Sequence, residues 1–410
     1  MTTKDTIGTY EADQTIDTVV LLYSGGLDTS CMVKYIQDAY DADVITLTLD
    51  LGQPGVDLEQ AKQKALDLGA KDAVVVDAKD EFAEDYLAKA IKANAQYQGY
   101  PLSTAIARYL TVEKAVKVAE EHGADAIAHG STGKGNDQVR FDAAIQNLSD
   151  LDVLAPVREW SMTRDKELEY AKEHGIPVEA EEGSPYSTDE NLWGKSSECG
   201  PLEDPATAPP QDVFQFVTPP EHAPDQPETV SIGFQDGIPV SLDGEKLSLA
   251  DLIQQLNDLA GKHGVGIIDV TEDRVVGLKS REVYECPAAV TLLQAHEALQ
   301  HYCSTKHENQ LKDFLEQQWA ELAYSGLWHD PAMTHLDAFI DSINQGVTGT
   351  VHVKLYKGQA QVVGRASDNA LYDHNLATYE EGETFNQDAS PGFIELWNLQ
   401  TKLANQVDQQ

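Results

Sequence analysis

Basic residues are scarce in this chain for its size. Its 410 residues carry 29 Lys and Arg against 69 Asp and Glu, a formal net charge of −40. The acidity is spread along the chain and is not gathered into one tail. Such a field repels nucleic acid and acidic membranes, so neither is expected as a partner. It suits either a cationic partner or a surface kept soluble in high salt, where screening removes self-repulsion. The second reading is preferred: scarce lysine with abundant Asp and Glu fits a halophile's cytosolic enzyme. Cysteine is scarce too. Cys31, Cys199, Cys286 and Cys303 lie far apart, with neither metal-ligand spacing nor a dense disulfide framework, so a reduced cytoplasm fits. No apolar run approaches the ~20 residues of a membrane span. The start, Met1 to Gln14, is polar and acidic without an apolar core, so no signal peptide is expected.

What remains is a globular body. Hydrophobic residues make up 41% of the chain, enough for a large core shared by two or three domains. The first half alternates strand and helix signals. Strands are expected at 18–23, 44–49, 73–77, 125–129 and 152–156, and helices at 27–40, 57–68, 80–96, 104–122 and 163–174. This βα alternation predicts an α/β fold with a doubly wound parallel sheet, whose ligands sit beyond the carboxyl ends of the strands. A stretch rich in Pro, Gly, Ser and Asp runs from about 181 to 228, too long for an ordinary connection. The pattern then becomes α+β: a hairpin at 229–244, a helix at 249–261, strands around a turn at 265–276, helices at 288–302, 306–324 and 332–345, and a hairpin at 348–366 turning at Lys357-Gly358. Pro391 to Asp408 carries Phe393, Leu396, Trp397, Leu399 and Leu403 as an apolar stripe on a helix, which either packs on its own core or reaches a partner subunit. The expected units are 1–180, 181–385 and 386–410.

The most telling segment is Tyr23-Ser24-Gly25-Gly26-Leu27-Asp28-Thr29-Ser30, after the apolar run Val19 to Leu22. Leu27, Cys31 and Tyr35, with Met32, Ile36 and Ala39, follow at helical spacing. Strand, glycine turn and helix make a phosphate cradle. Hydroxyls of Ser24, Thr29 and Ser30 surround it, the paired glycines let backbone N–H groups close on an anion, and the helix start adds its positive dipole end. The Lys of a Walker loop and the third glycine of a dinucleotide fingerprint are missing. Ser-Gly-Gly-x-Asp-[Ser/Thr] resembles the pyrophosphate loop of ATP pyrophosphatases, which split ATP between the α and β phosphates. A second segment, His129-Gly130-Ser131-Thr132-Gly133-Lys134-Gly135-Asn136-Asp137-Gln138-Val139-Arg140, follows another apolar run. Its glycines permit close approach of a ligand. Its mixture of Thr, Asn, Asp and Arg suits a zwitterion, Arg for a carboxylate and Asp for an ammonium. Two further polar segments, Tyr186 to Ser196 with an embedded Trp193, and Glu272 to Tyr284, read as a loop ordered over a site and as a strand edge with mixed charges.

These four segments, in this order, resemble argininosuccinate synthases over nearly the whole chain, most specifically at His129 to Phe141. The resemblance implies a nucleotide-binding domain of the adenine nucleotide α-hydrolase type, a synthetase domain and a C-terminal helix used in a homotetramer, here from a halophilic archaeon. It implies that ATP, with Mg²⁺, activates citrulline as an adenylate and that aspartate then displaces AMP, in arginine biosynthesis. Carried onto this sequence, ATP meets Leu22, Tyr23, Ser24, Gly25, Gly26, Leu27, Asp28, Thr29 and Ser30, with Leu49 and Gly130 near adenosine. Aspartate meets Thr132, Asn136 and Asp137. Citrulline meets Tyr100, Asn136, Arg140, Ser187, Ser196, Glu272 and Tyr284. Two departures stand out. Ala105 replaces a frequent serine, which leaves Thr104 as the substitute hydroxyl, and Leu22 replaces the usual alanine. Asp28 is the candidate for Mg²⁺ or the helix start, Asp137 for the proton of aspartate's amine, and the 186–196 loop for a lid.

Other users of the Ser-Gly-Gly-x-Asp loop fit less well. A tRNA-thiolating or lysidine-forming enzyme wants basic stripes or a catalytic cysteine pair. A glutamine-dependent amidation enzyme wants a nucleophilic cysteine at its start, where Thr2 follows Met1. A non-catalytic nucleotide-binding module makes no AMP.

The acidic surface carries its own prediction. Between about 0.1 M and 1 M salt the screening length falls from roughly 10 to 3 Å. Thermal melting over that range is expected to rise with salt; a midpoint that ignores salt removes the high-salt reading.

Overall fold

The computed structural model describes residues 16–55, 57–160, 164–177, 185–379 and 384–407. Met1 to Gln14, the first residue of the helix expected at 163–174, residues 181–184 of the long connection, part of the loop before Pro391 and the expected limit at 180/181 lie outside the described residues.

Five parallel strands form the first sheet: β1 (Thr18–Leu22), β2 (Asp43–Asp50), β3 (Asp72–Asp77), β4 (Ala126–Ala128) and β5 (Asp152–Leu154), in the order β3-β2-β1-β4-β5. β1 is a run of five buried residues, TVVLL. Such a run fits a strand covered on both faces. Val19 and Leu21 join the apolar cluster under helices α1 (Leu27–Tyr40) and α2 (Leu58–Asp67). Val20 and Leu22 point the other way, into the cluster shared with helix α3 (Ser103–His122) and the second half of the chain. Each fully buried aliphatic side chain here contributes about 1.5–3 kcal/mol. The expected doubly wound sheet is what the structure shows.

Two expectations in this half need correction. The helix expected at 80–96 stops at Lys92, and its residues Phe82–Leu87 form π-helical turns. Asn94 then takes a left-handed φ of 44°, its side chain bonded to Gln300, Glu316 and His296. Tertiary bonds override helix propensity there. The chain turns into a short pair, Gln96–Tyr97 against Tyr100–Pro101, which places Tyr100. Helix α4 (Asp137–Leu148) was not expected at all.

The long connection is also more ordered than expected. Its start is a hairpin, β6 (Ser187–Asn191) and β7 (Gly194–Glu198), with Trp193 fully buried at the turn. The segment read as a loop over the site is thus a paired edge of a four-stranded sheet. A second hairpin completes that sheet: β10 (Ile267–Asp273) and β11 (Lys279–Glu285), in the order β10-β11-β7-β6. The strands expected within 265–276 run on to Glu285, and the turn falls at 274–278. The polar character of β6 and β7 hid them, because one side faces a polar cleft and not a core. Between the two hairpins lie β8 (Glu228–Gln235) and β9 (Ile238–Leu242). They belong to an antiparallel sheet with β12 (Gly349–Tyr356) and β13 (Gln359–Ala366), backed by helices Leu249–Lys262 and Pro287–Cys303. Helices Lys306–Tyr324 and Pro331–Asn344 follow the latter as expected.

The C-terminal segment is two helices, Ser390–Trp397 and Leu399–Val407, meeting at Asn398. Its apolar stripe does not pack on this chain's core: Phe393, Leu396 and Trp397 are 61%, 71% and 75% exposed.

Gly194 sets the β6–β7 turn against β11. Its φ is 148°, and a Cβ there would lie 2.5 Å from Cys286 Sγ and 2.8 Å from the Glu285 carbonyl oxygen. Gly194→Ala is expected to lower stability by about 2 kcal/mol, read by urea denaturation. An unchanged midpoint would show that the hairpin can shift without cost.

Candidate active site

The parallel sheet reverses its winding between β1 and β4, which lie side by side. Their carboxyl ends lead directly into Tyr23–Ser24 and His129–Gly130. Both glycine-rich segments therefore open onto one cleft of about 700 Å³, where ligands of such sheets are expected. Nearly all the candidate residues line it: Leu22, Tyr23, Ser24, Gly26, Leu27, Asp28, Thr29, Leu49 and Gly130 on one side; Thr132, Asn136, Asp137 and Arg140 beside them; and Tyr100, Ser187, Ser196, Glu272 and Tyr284 across from both. Gly25 and Ser30 are absent from the lining.

The cradle is built by the chain itself. Gly25 takes a φ of 83°, and a Cβ there would reach 3.1 Å from Ala61 Cβ. Lys64 Nζ donates to the Gly25 carbonyl at 2.8 Å from behind the loop. The Gly26 N–H donates to Ser24 Oγ at 3.3 Å, and the Ser24 and Thr29 hydroxyls share a 3.2 Å bond. Ser30 is fully buried; its hydroxyl donates to the Gly26 carbonyl at 2.7 Å and meets the Tyr23 hydroxyl. It braces the loop from inside. Helix α1 starts at Gly26 with no side-chain cap, which leaves its dipole end and first-turn amides for an anion. Gly130 lies opposite, and a Cβ there would meet Met32 Sδ at 3.3 Å. Lys134 is not among the lining residues, so no lysine stands in for a Walker lysine.

Charged groups in the second segment hold one another. His129 is fully buried; the Ser131 N–H donates to its Nδ1 at 3.2 Å, so the ring proton sits on Nε2 and goes to Asp142 at 2.6 Å. Arg158 takes the other Asp142 oxygen. Asp137 opens helix α4 between two guanidinium groups: Arg108 Nη2 at 2.8 Å from one oxygen, Arg140 Nη1 at 2.9 Å from the other. Burial alone would raise its pKa, but the two cations outweigh burial and hold the carboxyl far below its usual range. Arg140 also donates through Nε to the Tyr324 carbonyl and lies 4.8 Å from the Tyr324 ring centre. Asn136 binds the turn after β10, its Oδ1 accepting from the Val275 N–H and its amide donating to Tyr324 and Glu272.

The far wall is aromatic and acidic. Tyr100 stacks on Tyr284 with ring centres 4.1 Å apart. Tyr284 donates to Glu282 at 2.6 Å, and Arg274 bonds both Glu282 and Glu198. Glu272 accepts from the Tyr324 hydroxyl at 2.9 Å through Oε1, while its Oε2 is buried without a hydrogen-bond partner. Burial, aided by Glu282, pushes its pKa up to about 7. A carboxylate oxygen left unpaired at this depth is a natural seat for a cationic group.

Sequence reasoning missed Arg108, Arg274 and Tyr324. Arg108 had a readable signal: Thr104, Arg108 and Thr111 all line the cleft at i, i+4 and i+7, a polar stripe on a helix otherwise packed with apolar residues. Tyr324, at the end of its helix, had none.

Comparison with known proteins follows the same division. Residues 18–177 match the Arginosuccinate synthase N-terminal HUP domain, and residues 186–404 match the Arginosuccinate synthase C-terminal domain. The argininosuccinate synthase of Pyrococcus furiosus is 55% identical over 388 residues, covering 94% of each chain. Those of Rubrobacter xylanophilus and Oceanobacillus iheyensis are 54% and 51% identical, over 93% of each chain and over 96% of this chain and 95% of the relative. A solved U34-tRNA thiolase, NcsA from Methanococcus maripaludis, matches 40% of this chain and 58% of its own at 17% identity and a TM-score of 0.27, too slight a likeness to carry an argument. With both domain matches spanning the cleft and its walls, the chain belongs to the argininosuccinate synthase family.

Proposed function

We propose that this one cleft holds ATP, citrulline and aspartate together and carries both halves of argininosuccinate synthesis. The chain is an ATP-dependent ligase of citrulline and aspartate in arginine biosynthesis, and the adenylate intermediate follows from its family. The observation that carries the site reading is the meeting of the 24–29 loop, the 130–140 segment and the Glu272–Tyr284 hairpin in a single cavity.

ATP lies with adenosine near Leu22, Leu49 and Gly130 and its phosphates on the Tyr23–Thr29 loop. Gly25 and Ser30 shape that loop from behind. The ureido oxygen of citrulline attacks the α-phosphorus, and pyrophosphate leaves toward loop amides and the hydroxyls of Ser24 and Thr29. Among the described residues no group of three or more His, Cys, Asp or Glu is placed to hold a metal. Asp28 of the phosphate loop lines the cleft, and Mg²⁺ arriving on ATP usually takes one or two carboxylates and completes its shell with phosphate and water. Asp28 would supply such a carboxylate, and the ion neutralises charge on the leaving group when bound.

Citrulline's carboxylate goes to Arg140 and its ammonium to the unpaired oxygen of Glu272, with Tyr100, Ser187, Ser196 and Tyr284 around it. Aspartate is held by Thr132, Asn136 and Asp137. A carboxylate as acidic as Asp137 anchors an ammonium well and takes a proton badly, so its role is binding more than base catalysis. Catalysis then rests on placing a weak nucleophile in line with its electrophile. The β6–β7 hairpin shields the adenylate from water as a fixed wall. We further assign a homotetramer, with the 386–410 segment, exposed over most of its described residues, as the interface element, a cytoplasmic location, and functional units at 1–180 and 181–385. Among the described residues no helix is long and apolar enough to cross a membrane.

Supplying ATP, citrulline and aspartate is expected to yield AMP, with none formed when citrulline is omitted; AMP formed without citrulline sinks the reading. Asp137→Ala is expected to lower kcat/KM for aspartate roughly 100-fold while citrulline-dependent adenylate formation stays detectable. Equal loss of both partial reactions contradicts the division of roles. Glu272 must be ionised to hold an ammonium, so kcat/KM for citrulline is expected to rise with pH through about 7. Glu272→Gln should lack that inflection; a profile unchanged by the substitution assigns it elsewhere.

A further inference from the structure

We infer that Arg108 receives a carboxylate of the substrate aspartate, and that Asp189 occupies the guanidinium until aspartate displaces it. This rests on the placing of aspartate at Thr132, Asn136 and Asp137.

The argument is one of charge and reach. Citrulline brings one carboxylate to the cleft and aspartate brings two. The residues assigned to aspartate offer a hydroxyl, an amide and an anion, but no cation. Three arginines line the cleft: Arg108, Arg140 and Arg274. Arg274 is spent on Glu198, Glu282 and the Lys134 carbonyl. Arg140 serves citrulline. Arg108 is left, and it is bonded to the very carboxylate that anchors the amine, at 2.8 Å. An amino acid whose ammonium rests on Asp137 brings its carboxylates within reach of that guanidinium.

Arg108 also has donors to give. Both of its ion pairs, to Asp137 and to Asp189, run through Nη2. Its Nε is buried without a partner, and among the described residues Nη1 has no hydrogen bond. A planar fork with one tine occupied is suited to a bidentate carboxylate. Asp189 comes from β6, lines the cleft, and is 35% exposed at its side chain. It presents to Arg108 the group that the substrate also carries. Exchange of one carboxylate for the other keeps the ion pair and releases Asp189.

Succinate tests this, because it has both carboxylates and no amine to place on Asp137. As a competitor of aspartate, it is expected to bind Arg108→Gln roughly 30-fold more weakly than the parent protein. Citrulline-dependent exchange of pyrophosphate into ATP should be little changed. Arg108→Lys, which keeps the charge without the fork, should fall between. Unchanged succinate inhibition, or loss of exchange in step with it, overturns the proposal. β-Alanine and asparagine each lack one carboxylate of aspartate. The substitution should narrow the gap between aspartate and the analogue that lacks the group Arg108 binds; narrowing for neither overturns it. Asp189→Asn should tighten succinate several-fold, and unchanged or weaker binding removes the place-holding role. Absence of exchange in the parent protein would contradict the adenylate reading instead, and leaves the succinate comparison standing on its own.

Discussion

The pairing of β1 with β4 is the constraint from which the site follows. Val19 opposes Ala126 and Leu21 opposes Ala128 in parallel register. Two chain segments more than a hundred residues apart are therefore forced to leave the sheet at neighbouring points and in the same direction. Each leaves into glycine, and each then starts a helix whose N-terminus faces the gap, α1 from Leu27 and α4 from Asp137. One helix start is left bare for phosphate. The other carries Asp137, pinned by arginines from α3 and from its own next turn. The same geometry gives two helix ends opposite electrostatic tasks.

The second hairpin pair closes what the sheet opens. Asn136 and Tyr324 tie the turn after β10 to the start of α4, so Glu272 is positioned by the element that positions Asp137. Glu272 is buried and Asp137 half-buried, yet their protonation diverges. Asp137 has two cations within hydrogen-bond distance and is held ionised. Glu272 has tyrosine and amide donors on one oxygen and Glu282 nearby, so burial wins and its pKa rises to about 7. Two carboxylates in one cavity thus receive different chemistry from their neighbours, not from their own type.

How legible this was in the sequence varies with the physics of each segment. The α/β half could be read because β1 is buried on both faces and α1 has a clean apolar period, so local pattern and tertiary burial agree. The two glycine segments announced themselves through residue types that only close ligand approach requires. The hairpin at 187–198 did not, because its strands carry Ser, Thr, Asp and Glu toward a wet cavity and imitate a loop; the one at 267–285 was read as strands around a turn, and only its extent to Glu285 was missed. Helix α4 was hidden by its own functional start, where Asn136, Asp137 and Arg140 read as ligand groups before they read as a helical turn. Residues such as Tyr324 act only by where the fold puts them, and no periodicity or motif marks them.

A final question is how a chain of net charge −40 admits ATP at all. The answer lies in the ranges of the competing forces. The field of the acidic surface is a sum over distant charges, and salt near 1 M cuts its reach to about 3 Å. The contacts that would hold the phosphates act inside that distance: loop N–H groups, two hydroxyls and the bare end of α1. They work in a cleft that salt screens far less than the open surface. Surface acidity and anion binding are therefore nearly independent at high ionic strength. The requirement falls on the cleft alone, where Arg108, Arg140 and Arg274 stand among seven acidic lining residues, Asp28, Asp137, Asp189, Glu190, Glu198, Glu272 and Glu282. In such surroundings each arginine is already engaged by an acid of the protein, and an incoming anion binds by replacing one of those acids or by using a donor left open.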